Sequence, residues 1–341
     1  MNKKRTLITG ITGMVGSHLA DYLLESTDWE IYGICRWRSP LDNVEHLLPR
    51  ANKKDRLHFL YADLNDYISL SKSIESSRPD FVFHLAAQSY PRTSFDAPID
   101  TLNTNILGTA RLLEALKNFK DRKEIDPVIH VCSSSEVFGR VPKEKIPIGE
   151  EENFHPASPY AISKIGTDVL GRYYGEAYGM KTVITRMFTH TGPRRGDVFA
   201  ESTFAKQIAL IEAGLLAPVV KVGNLNSLRT FADVRDAVRA YYMLVTTNPV
   251  AGAYYNIGGT YSCTVGEMLN YLLSISREKK IEVEIDAERL RPIDADLQVP
   301  DTKKFQAHTG WKPEISFEKT MQDLLDYWRG RVEKGKYFLQ R

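Results

Sequence analysis

The fold is decided by the stretch Thr6-Leu7-Ile8-Thr9-Gly10-Ile11-Thr12-Gly13-Met14-Val15-Gly16. An apolar run predicted as a buried strand leads into three glycines spaced GxxGxxG, and an amphipathic helical pattern follows at 15–24. In this context glycine permits a tight turn and lets backbone N–H groups approach a pyrophosphate at the helix amino terminus. The alternative is a glycine-rich turn that binds no ligand. We predict a dinucleotide site formed by Gly10, Thr12, Gly13, Met14, Val15 and Gly16.

Short apolar runs alternate with helical patterns through the rest of the first half. The predicted strands are 30–35, 57–61, 81–85, 128–132 and 183–187, and the predicted helices include 67–77, 105–118 and 159–178. Strands that alternate with helices indicate βαβ units and a parallel sheet. The fold class is therefore α/β, with a Rossmann-type doubly wound parallel sheet.

The pattern changes after about residue 188. The predicted elements are helices at 199–213, 234–247 and 316–331, with short strands at 218–222 and 282–285. We interpret 1–188 as the dinucleotide-binding domain, with a segment near 224–250 that returns to it. Residues 189–341 form a smaller C-terminal α/β lobe.

Composition narrows the functional classes. Of 341 residues, 45 are Lys or Arg and 43 are Asp or Glu, so the net charge of +2 gives no electrostatic reason to expect a nucleic-acid partner. Cys35, Cys132 and Cys263 have neither disulfide nor zinc spacing, and we expect no metal site and a reducing, cytoplasmic location. No run approaches the ~20 apolar residues that span a bilayer, so no membrane association is expected.

The residues after the second strand bear on the choice of dinucleotide. NAD sites usually place an acid here to bind the ribose 2′-hydroxyl, whereas this chain has Cys35-Arg36-Trp37-Arg38-Ser39. Guanidinium groups bind phosphate bidentately, so Arg36 and Arg38 suit a 2′-phosphate and predict NADP. The alternative is a solvated surface pair.

Two further motifs suggest redox chemistry. Tyr160 and Lys164 lie four residues apart at the start of a predicted helix, where an ammonium can lower the cost of using a phenol as a base. The serine cluster 133–135 follows a strand, at the edge where active residues of open α/β sheets often lie. Glu136 adds a carboxylate, which dehydration needs in order to remove a carbon-bound proton. Turn capping by the serines and an exposed loop acid at Glu136 are the alternatives.

With these motifs the chain resembles the extended short-chain dehydrogenase/reductase family, and within it the GDP-mannose 4,6-dehydratases and their relatives. The likeness extends along nearly the whole chain. Besides the motifs above, it is carried by His84-Leu85-Ala86-Ala87-Gln88-Ser89, by His190-Thr191-Gly192-Pro193-Arg194-Arg195-Gly196-Asp197-Val198-Phe199, by Gly223-Asn224-Leu225 with Arg229, and by Arg291-Pro292-Ile293-Asp294-Ala295-Asp296.

The resemblance implies a mechanism and a site. Tyr160 would deprotonate the C4 hydroxyl held by Ser134 as hydride passes to NADP+, with Lys164 on the nicotinamide ribose. Glu136 would take the C5 proton and help water leave C6, and the returning hydride would complete a 4-keto-6-deoxy sugar. Further cofactor contacts would come from Asp63, Leu64, Leu85, Ala86, Ala87, Ser89, His190 and Arg195. Substrate contacts in the 189–341 lobe and its neighbours would come from Gln88, Ser89, Tyr90, Arg92, Ser134, Thr189, Asn224, Arg229, Arg291 and Asp294.

Departures from the family pattern leave the substrate open. Ser134 replaces the usual threonine and preserves the hydroxyl, whereas Tyr90, Arg92 and Thr189 differ where the sugar or cofactor is expected. A GDP-heptose or GDP-N-acetylglucosamine dehydratase therefore stands beside the GDP-mannose type. A nucleotide-sugar 4-reductase or 4-epimerase, which Glu136 disfavours, and a non-catalytic dinucleotide sensor also stay open. The resemblance further implies a homo-oligomer, a dimer or tetramer, with the loop around Trp37 at an interface.

Overall fold

The architecture is that of a computed structural model, which describes residues 3–290 and 296–338. Seven strands build its central sheet: β1 (Arg5–Thr9), β2 (Glu30–Cys35), β3 (Leu57–Tyr61), β4 (Phe81–His84), β5 (Val128–Cys132), β6 (Lys181–Met187) and β10 (Ala253–Ile257). All of them run parallel, in the order β10-β6-β5-β4-β1-β2-β3. This sheet confirms the predicted fold class.

Helices cover both faces of this sheet, because successive strand residues point to opposite sides. In β1, Leu7 packs into one apolar core and Ile8 into another. The helices of the first half are α1 (Met14–Ser26), α2 (Leu48–Asn52), α3 (Tyr67–Ser77), α4 (Pro91–Asp96), α5 (Pro98–Leu102), α6 (Gly108–Asp121) and α7 (Pro159–Tyr178). Short 3-10 helices occupy Asp42–Leu47, Ser135–Val137 and Lys143–Lys145.

A separate apolar core lies beyond β6. It is built by α8 (Ala200–Glu212), α10 (Val265–Ser274) and α12 (Phe317–Glu333). Small sheets accompany these helices, and β9 (Leu228–Asp233) pairs with three short strands. The short strands are β7 (His190–Thr191), β11 (Tyr261–Thr264) and β13 (Leu297–Gln298), and a separate pair is formed by β8 (Val219–Val222) and β12 (Glu282–Ile285).

The chain returns to the large sheet after β9. Helix α9 (Val234–Thr246) packs its apolar side into the core shared with α1, and β10 then pairs with β6. Helix α11 (Lys303–Thr309) and the fully buried Trp311 complete this face. Strand β10 was not predicted from the sequence, because this five-residue strand follows a turn in the half of the chain where no βαβ alternation is visible.

Several predicted boundaries differ from the observed ones by one to three residues, and two of these differences have a clear physical reason. The strand predicted at 81–85 ends at His84, where the chain leaves the sheet and its N–H groups find another partner. The helix predicted at 105–118 begins inside a π-helical turn, Asn103–Leu107, and α6 proper starts at Gly108. At Gly108 a Cβ would come within 2.8 Å of the Leu64 side chain, so the helix packs closely against that residue. Among the described residues, no helix combines the length and apolarity needed to cross a membrane.

Candidate functional site

A cavity of about 770 Å³ opens at the carboxyl ends of the central strands, between the two parts of the chain. Most of the predicted site residues meet here. Those that line it are Gly10, Gly13, Met14, Val15, Gly16, Leu85, Ala87, Ser89, Tyr90, Arg92, Ser134, Glu136, Tyr160, Lys164, Thr189, His190, Arg195, Asn224 and Arg229. The predicted residues Thr12, Arg36, Arg38, Asp63, Leu64, Ala86 and Gln88 lie outside the lining, and Arg291 and Asp294 lie outside the described residues.

The glycine turn has the shape that a pyrophosphate requires. Gly10 has φ +75°, and a Cβ on Gly16 would lie 2.3 Å from the Gly10 carbonyl oxygen. Helix α1 starts directly after the turn, and its N-cap, Gly13, supplies no side-chain hydrogen bond to the helix. The first N–H groups of α1 are therefore left available to an anion in the cavity.

A buried threonine, Thr9, joins this turn to the segment that follows the neighbouring strand β4. The Thr9 hydroxyl accepts hydrogen bonds of 3.1 Å from the N–H groups of both Leu85 and Ala86. The Thr9 hydroxyl in turn donates a hydrogen bond to His84 Nδ1, at 2.9 Å. Burial, with a contribution from the Lys164 ammonium, lowers the pKa of His84 to about 3. The imidazole is therefore neutral, with its remaining proton on Nε2.

From His84 the hydrogen bonds continue to the helix that carries the Tyr–Lys pair. His84 Nε2 donates to Thr109, at 2.9 Å, and the Thr109 hydroxyl donates to the Asn105 carbonyl. Within the π-helical turn the Asn105 amide brackets Gln88, accepting from its N–H at 2.8 Å and donating to its carbonyl at 2.9 Å. The same amide donates to Ser163 Oγ at 2.8 Å, one residue before Lys164.

Tyr160 and Lys164 are both buried on the first turns of α7. The Ser158 side chain caps this helix by accepting from the Ala161 N–H, and Pro159 occupies its first turn. Burial raises the pKa of Tyr160, whereas a hydrogen bond with Ser134 acts in the opposite direction. Burial lowers the pKa of Lys164, whose Nζ donates to the Cys132 carbonyl at 2.7 Å.

Ser134 and Glu136 reach the same cavity from the end of β5. The Ser134 hydroxyl accepts from the Glu136 N–H at 3.2 Å and caps the 3-10 turn that follows the strand. Ser134 therefore caps a turn, as the alternative interpretation of the serine cluster expected, and it also forms a hydrogen bond with Tyr160. The site therefore combines a hydroxyl, a phenol, an ammonium and a carboxylate on the ends of β5 and α7.

An aromatic and charged wall faces these groups. The Arg195 guanidinium lies 3.4 Å from the ring centre of Phe199, and its Nε donates to the buried Glu201 carboxylate at 3.0 Å. The Tyr90 ring packs edge-on against Phe199. Burial, aided by Arg195, lowers the pKa of His190 to about 4, so this imidazole is neutral near pH 7.

The residues predicted for the adenosine end of the cofactor follow strands β2 and β3 and lie outside the lining of the cavity. Arg36 and Arg38 are exposed in the turn after β2, and Trp37 between them is 77 % exposed. Two residues at the end of β3 are held in place: Asp63 accepts from the Asn65 N–H at 2.9 Å, and Leu64 is buried against α6.

Several lining residues were not predicted, among them Asn43, Cys132, Glu201, Asp286, Glu288 and Arg289. Asn43, Asp286 and Glu288 lie in or beside short 3-10 segments, whose sequences have no hydrophobic period from which they could be predicted. Asn105 had a usable signal, since it is a polar residue at a buried position where the apolar helical pattern begins. Among residues 3–290 and 296–338, no cluster of three or more His, Cys, Asp or Glu side chains could hold a metal ion.

The chain is similar to known proteins along nearly its whole length. The sequence model of the family described as GDP-mannose 4,6 dehydratase matches residues 7–324. The chain is 32% identical to a GDP-6-deoxy-D-mannose reductase from Pseudomonas aeruginosa, over 97% of this chain and 99% of that protein. It is also 32% identical to GDP-mannose 4,6 dehydratase 1 from Arabidopsis thaliana, over 95% and 89%. The solved structure of RMD from Pseudomonas aeruginosa complexed with NADPH superposes with a TM-score of 0.80 at 30% identity, covering 96% and 100%.

A Gly16→Ala substitution tests the glycine turn. The added Cβ would clash with the Gly10 carbonyl, so we expect at least a tenfold weaker affinity for NADPH, which is a change of about 1.4 kcal/mol or more. Titration by nucleotide fluorescence measures this, and thermal unfolding reports the stability of the same sample. Gly149→Ala is the matched control, because a Cβ there meets nothing within 4 Å. Equal NADPH affinity in the two variants would contradict a dinucleotide site at this turn.

Proposed function

Because the chain belongs to the GDP-mannose 4,6 dehydratase family, we propose that it converts a GDP-sugar into its 4-keto-6-deoxy form with loss of water. The observation that carries this proposal is Glu136, which lines the same cavity as Ser134, Tyr160 and Lys164. A reaction that only oxidises or reduces C4 needs no such carboxylate, whereas elimination of water requires a base for the C5 proton.

NADP is the proposed cofactor, and the turn fits it. Gly10 and Gly16 let the chain turn tightly into α1, whose first N–H groups are left available to a pyrophosphate, and Arg36 and Arg38 stand where NAD sites carry an acid. The NADPH bound by the Pseudomonas aeruginosa relative supports the same choice. When bound, NADP supplies a reversible hydride acceptor, so that C4 can be oxidised and C6 later reduced without net consumption of the cofactor.

Tyr160 is the proposed base for the C4 hydroxyl, and Ser134 holds that hydroxyl. Since burial raises the pKa of Tyr160, the phenol is protonated near pH 7 and must lose its proton before it can accept the one from the C4 hydroxyl. The Ser134 hydrogen bond and the Arg195 charge both lower this pKa, and Lys164 would add its ammonium from the cofactor ribose. Glu136 then removes the C5 proton and delivers a proton to the leaving C6 hydroxyl.

The GDP portion would occupy the side of the cavity formed by the chain beyond β6. We propose Asn224 and Arg229, with Arg291 and Asp294, as its contacts, and the 189–341 lobe as the nucleotide-sugar-binding domain opposite the NADP-binding domain of 1–188. Tyr90, Arg92 and Thr189 line the space between the two. They would therefore select the sugar among mannose, a heptose and N-acetylglucosamine.

A 4-reductase is the second candidate. It is favoured by the identity to the Pseudomonas aeruginosa reductase, which covers almost the whole of both chains. This activity makes a different demand on the cofactor, because a reductase consumes one NADPH per sugar whereas a dehydratase consumes none.

We also propose a cytoplasmic homo-oligomer, a dimer or tetramer. Helix α7 leaves Ile162, Val169 and Tyr173 about half exposed, an apolar row that a second copy of the chain could cover. The exposed Trp37 and Tyr61, whose rings meet edge-on, form a second apolar surface. Free thiols at all three cysteines fit a reducing compartment.

The activity is tested by incubating the protein with GDP-mannose, GDP-heptose and GDP-N-acetylglucosamine without added NADPH. We expect one of them to lose one water, detected by mass. Glu136→Gln should keep C4 oxidation, seen as reduced-nicotinamide absorbance, and lose elimination by about 10²-fold or more. Glu152→Gln is the control carboxylate in the neighbouring loop. Water loss from none of the three, with NADPH consumed on a 4-keto-6-deoxy sugar, would establish the reductase instead.

A Ser134→Ala substitution tests how Tyr160 is tuned. Loss of the hydrogen bond, worth about 1 kcal/mol, should raise the pKa of Tyr160 further and shift the rising limb of the pH–rate profile by somewhat under one unit to higher pH. Ser135→Ala removes an equally buried hydroxyl as the control. An unshifted profile for Ser134→Ala would remove Ser134 from the tuning of Tyr160.

The oligomer is tested by sedimentation equilibrium. A charge in the middle of the apolar row, Val169→Glu, should dissociate the protein into smaller species, because a carboxylate cannot be buried there without a partner. Glu75→Lys, at an exposed residue of α3 away from the apolar row, is the control for a charge change. A wild-type monomer at micromolar concentration would contradict the proposal.

A further inference from the structure

The 3-10 segment Asp42–Leu47 lies directly against the glycine turn. Its inner residues Val44 and Leu47 are buried in the core beside the large sheet. Asn43, next to Val44, lines the cavity, and its Nδ2 donates to the Thr12 carbonyl at 3.1 Å. A side chain of this segment therefore holds the backbone of the turn on which the dinucleotide is proposed to bind.

The outer side of the segment is tied to the far end of the chain. Arg331 Nη2 lies 3.2 Å from Asp42 Oδ1, and Lys336 Nζ lies 2.5 Å from Glu45 Oε2. Arg331 belongs to α12, whose apolar face is buried in the core beyond β6. These two ion pairs consequently bridge the two cores across the outside of segment 42–47.

The tail that supplies these cations is ordered by its own contacts. Arg331 Nε donates to the Lys336 carbonyl at 2.8 Å, and the Lys336 N–H donates back to the Arg331 carbonyl at 2.8 Å. The Arg331 guanidinium also lies 5.8 Å from the ring centres of Tyr327 and Trp328. Arg331 therefore contacts both the C-terminal tail and Asp42.

A third contact joins segment 42–47 to α1 and, through the same carboxylate, to the loop after β7. His46 lies 2.7 Å from Asp21 on α1, and the same carboxylate accepts from Arg194 at 2.7 Å. Arg194, at φ +68°, also donates to Ser17 Oγ in α1 at 3.2 Å. All three titratable side chains of segment 42–47 are therefore engaged: Asp42 and Glu45 by the C-terminal end of the chain, and His46 by α1.

We propose that Asn43 is a positioning residue for the dinucleotide turn and that segment 42–47 is a clasp, held closed by Arg331 and Lys336, which slows release of the cofactor. The proposal rests on the proposed function only in that NADP binds at the glycine turn. Slow release suits a dehydratase, whose cofactor ends each cycle in its starting oxidation state and need not leave.

The rate of cofactor release tests the clasp in the full chain without any sugar. NADPH fluorescence is followed after a chase with excess NADP+. The pair Arg331→Ala/Lys336→Ala should raise the off-rate about three- to tenfold, which is what two exposed ion pairs can supply. Lys312→Ala/Lys319→Ala removes two positive charges from the same part of the chain without touching segment 42–47, and its off-rate should match the wild type.

Charge reversal separates the ion pair from a general loss of structure. Lys336→Glu should accelerate release, and adding Glu45→Lys should restore the wild-type rate because the pair is re-formed with opposite signs. Asn43→Asp keeps the size of the side chain, but turns a donor towards the Thr12 carbonyl into an acceptor, and should also accelerate release. High salt should raise the off-rate of the wild type more than that of Arg331→Ala/Lys336→Ala.

The outcomes are distinct from those of the activity assay. An off-rate unchanged in Lys336→Glu, a swap that fails to restore it, or an equal rise in the Lys312/Lys319 control would overturn the clasp. Failure of the wild type to bind NADPH would overturn it together with the cofactor. If no sugar loses water while the chase behaves as expected, the dehydratase proposal falls and the clasp stands.

Discussion

The arrangement of the site depends on one buried hydroxyl. Thr9 accepts hydrogen bonds from two consecutive N–H groups after β4 and donates to His84, so the ends of β1 and β4 are fixed at a single oxygen. A buried hydroxyl with all its bonding capacity used is directional in a way that apolar packing is not. From Thr9 the hydrogen bonds continue through the neutral His84 imidazole, then through Thr109 and Asn105. They end at Ser163, the residue before Lys164. The glycine turn and the Tyr–Lys helix are therefore parts of one hydrogen-bonded unit.

Around this unit, burial sets the protonation of the reactive groups. It opposes charge on Tyr160 and on Lys164 alike, and it keeps His84 and His190 neutral. As the proposed base, Tyr160 would then depend on close hydrogen bonds and nearby cations to stabilise the tyrosinate that accepts the sugar proton. Ser134 supplies one such bond, and its neighbour Glu136 faces the same space, so oxidation at one sugar carbon and elimination at the next would be served from a single strand end.

The sequence alone predicted those parts of the molecule that have a repeating or spaced pattern. The GxxGxxG turn, the alternation around β1 to β6 and the YxxxK pair are local signals, and the structure has elements at each of them. What could not be predicted is set by distant contacts. Strand β10 is recognisable only once β6 is there to pair with it, and Asn43 only once its segment lies on the glycine turn. The contacts of Asn105 likewise depend on distant parts of the chain, because Gln88 and Ser163 reach it only in the folded protein.

The late return of the chain has a consequence for how the protein is made. On the ribosome, β6 has no neighbour on its outer side until residues 253–257 have been synthesised, although the other five strands of the sheet are already available. An unpaired parallel edge is a template for association with other chains. The nascent polypeptide therefore carries this open edge through the synthesis of α8, β8, β9 and α9, an interval in which β6 can associate with other chains.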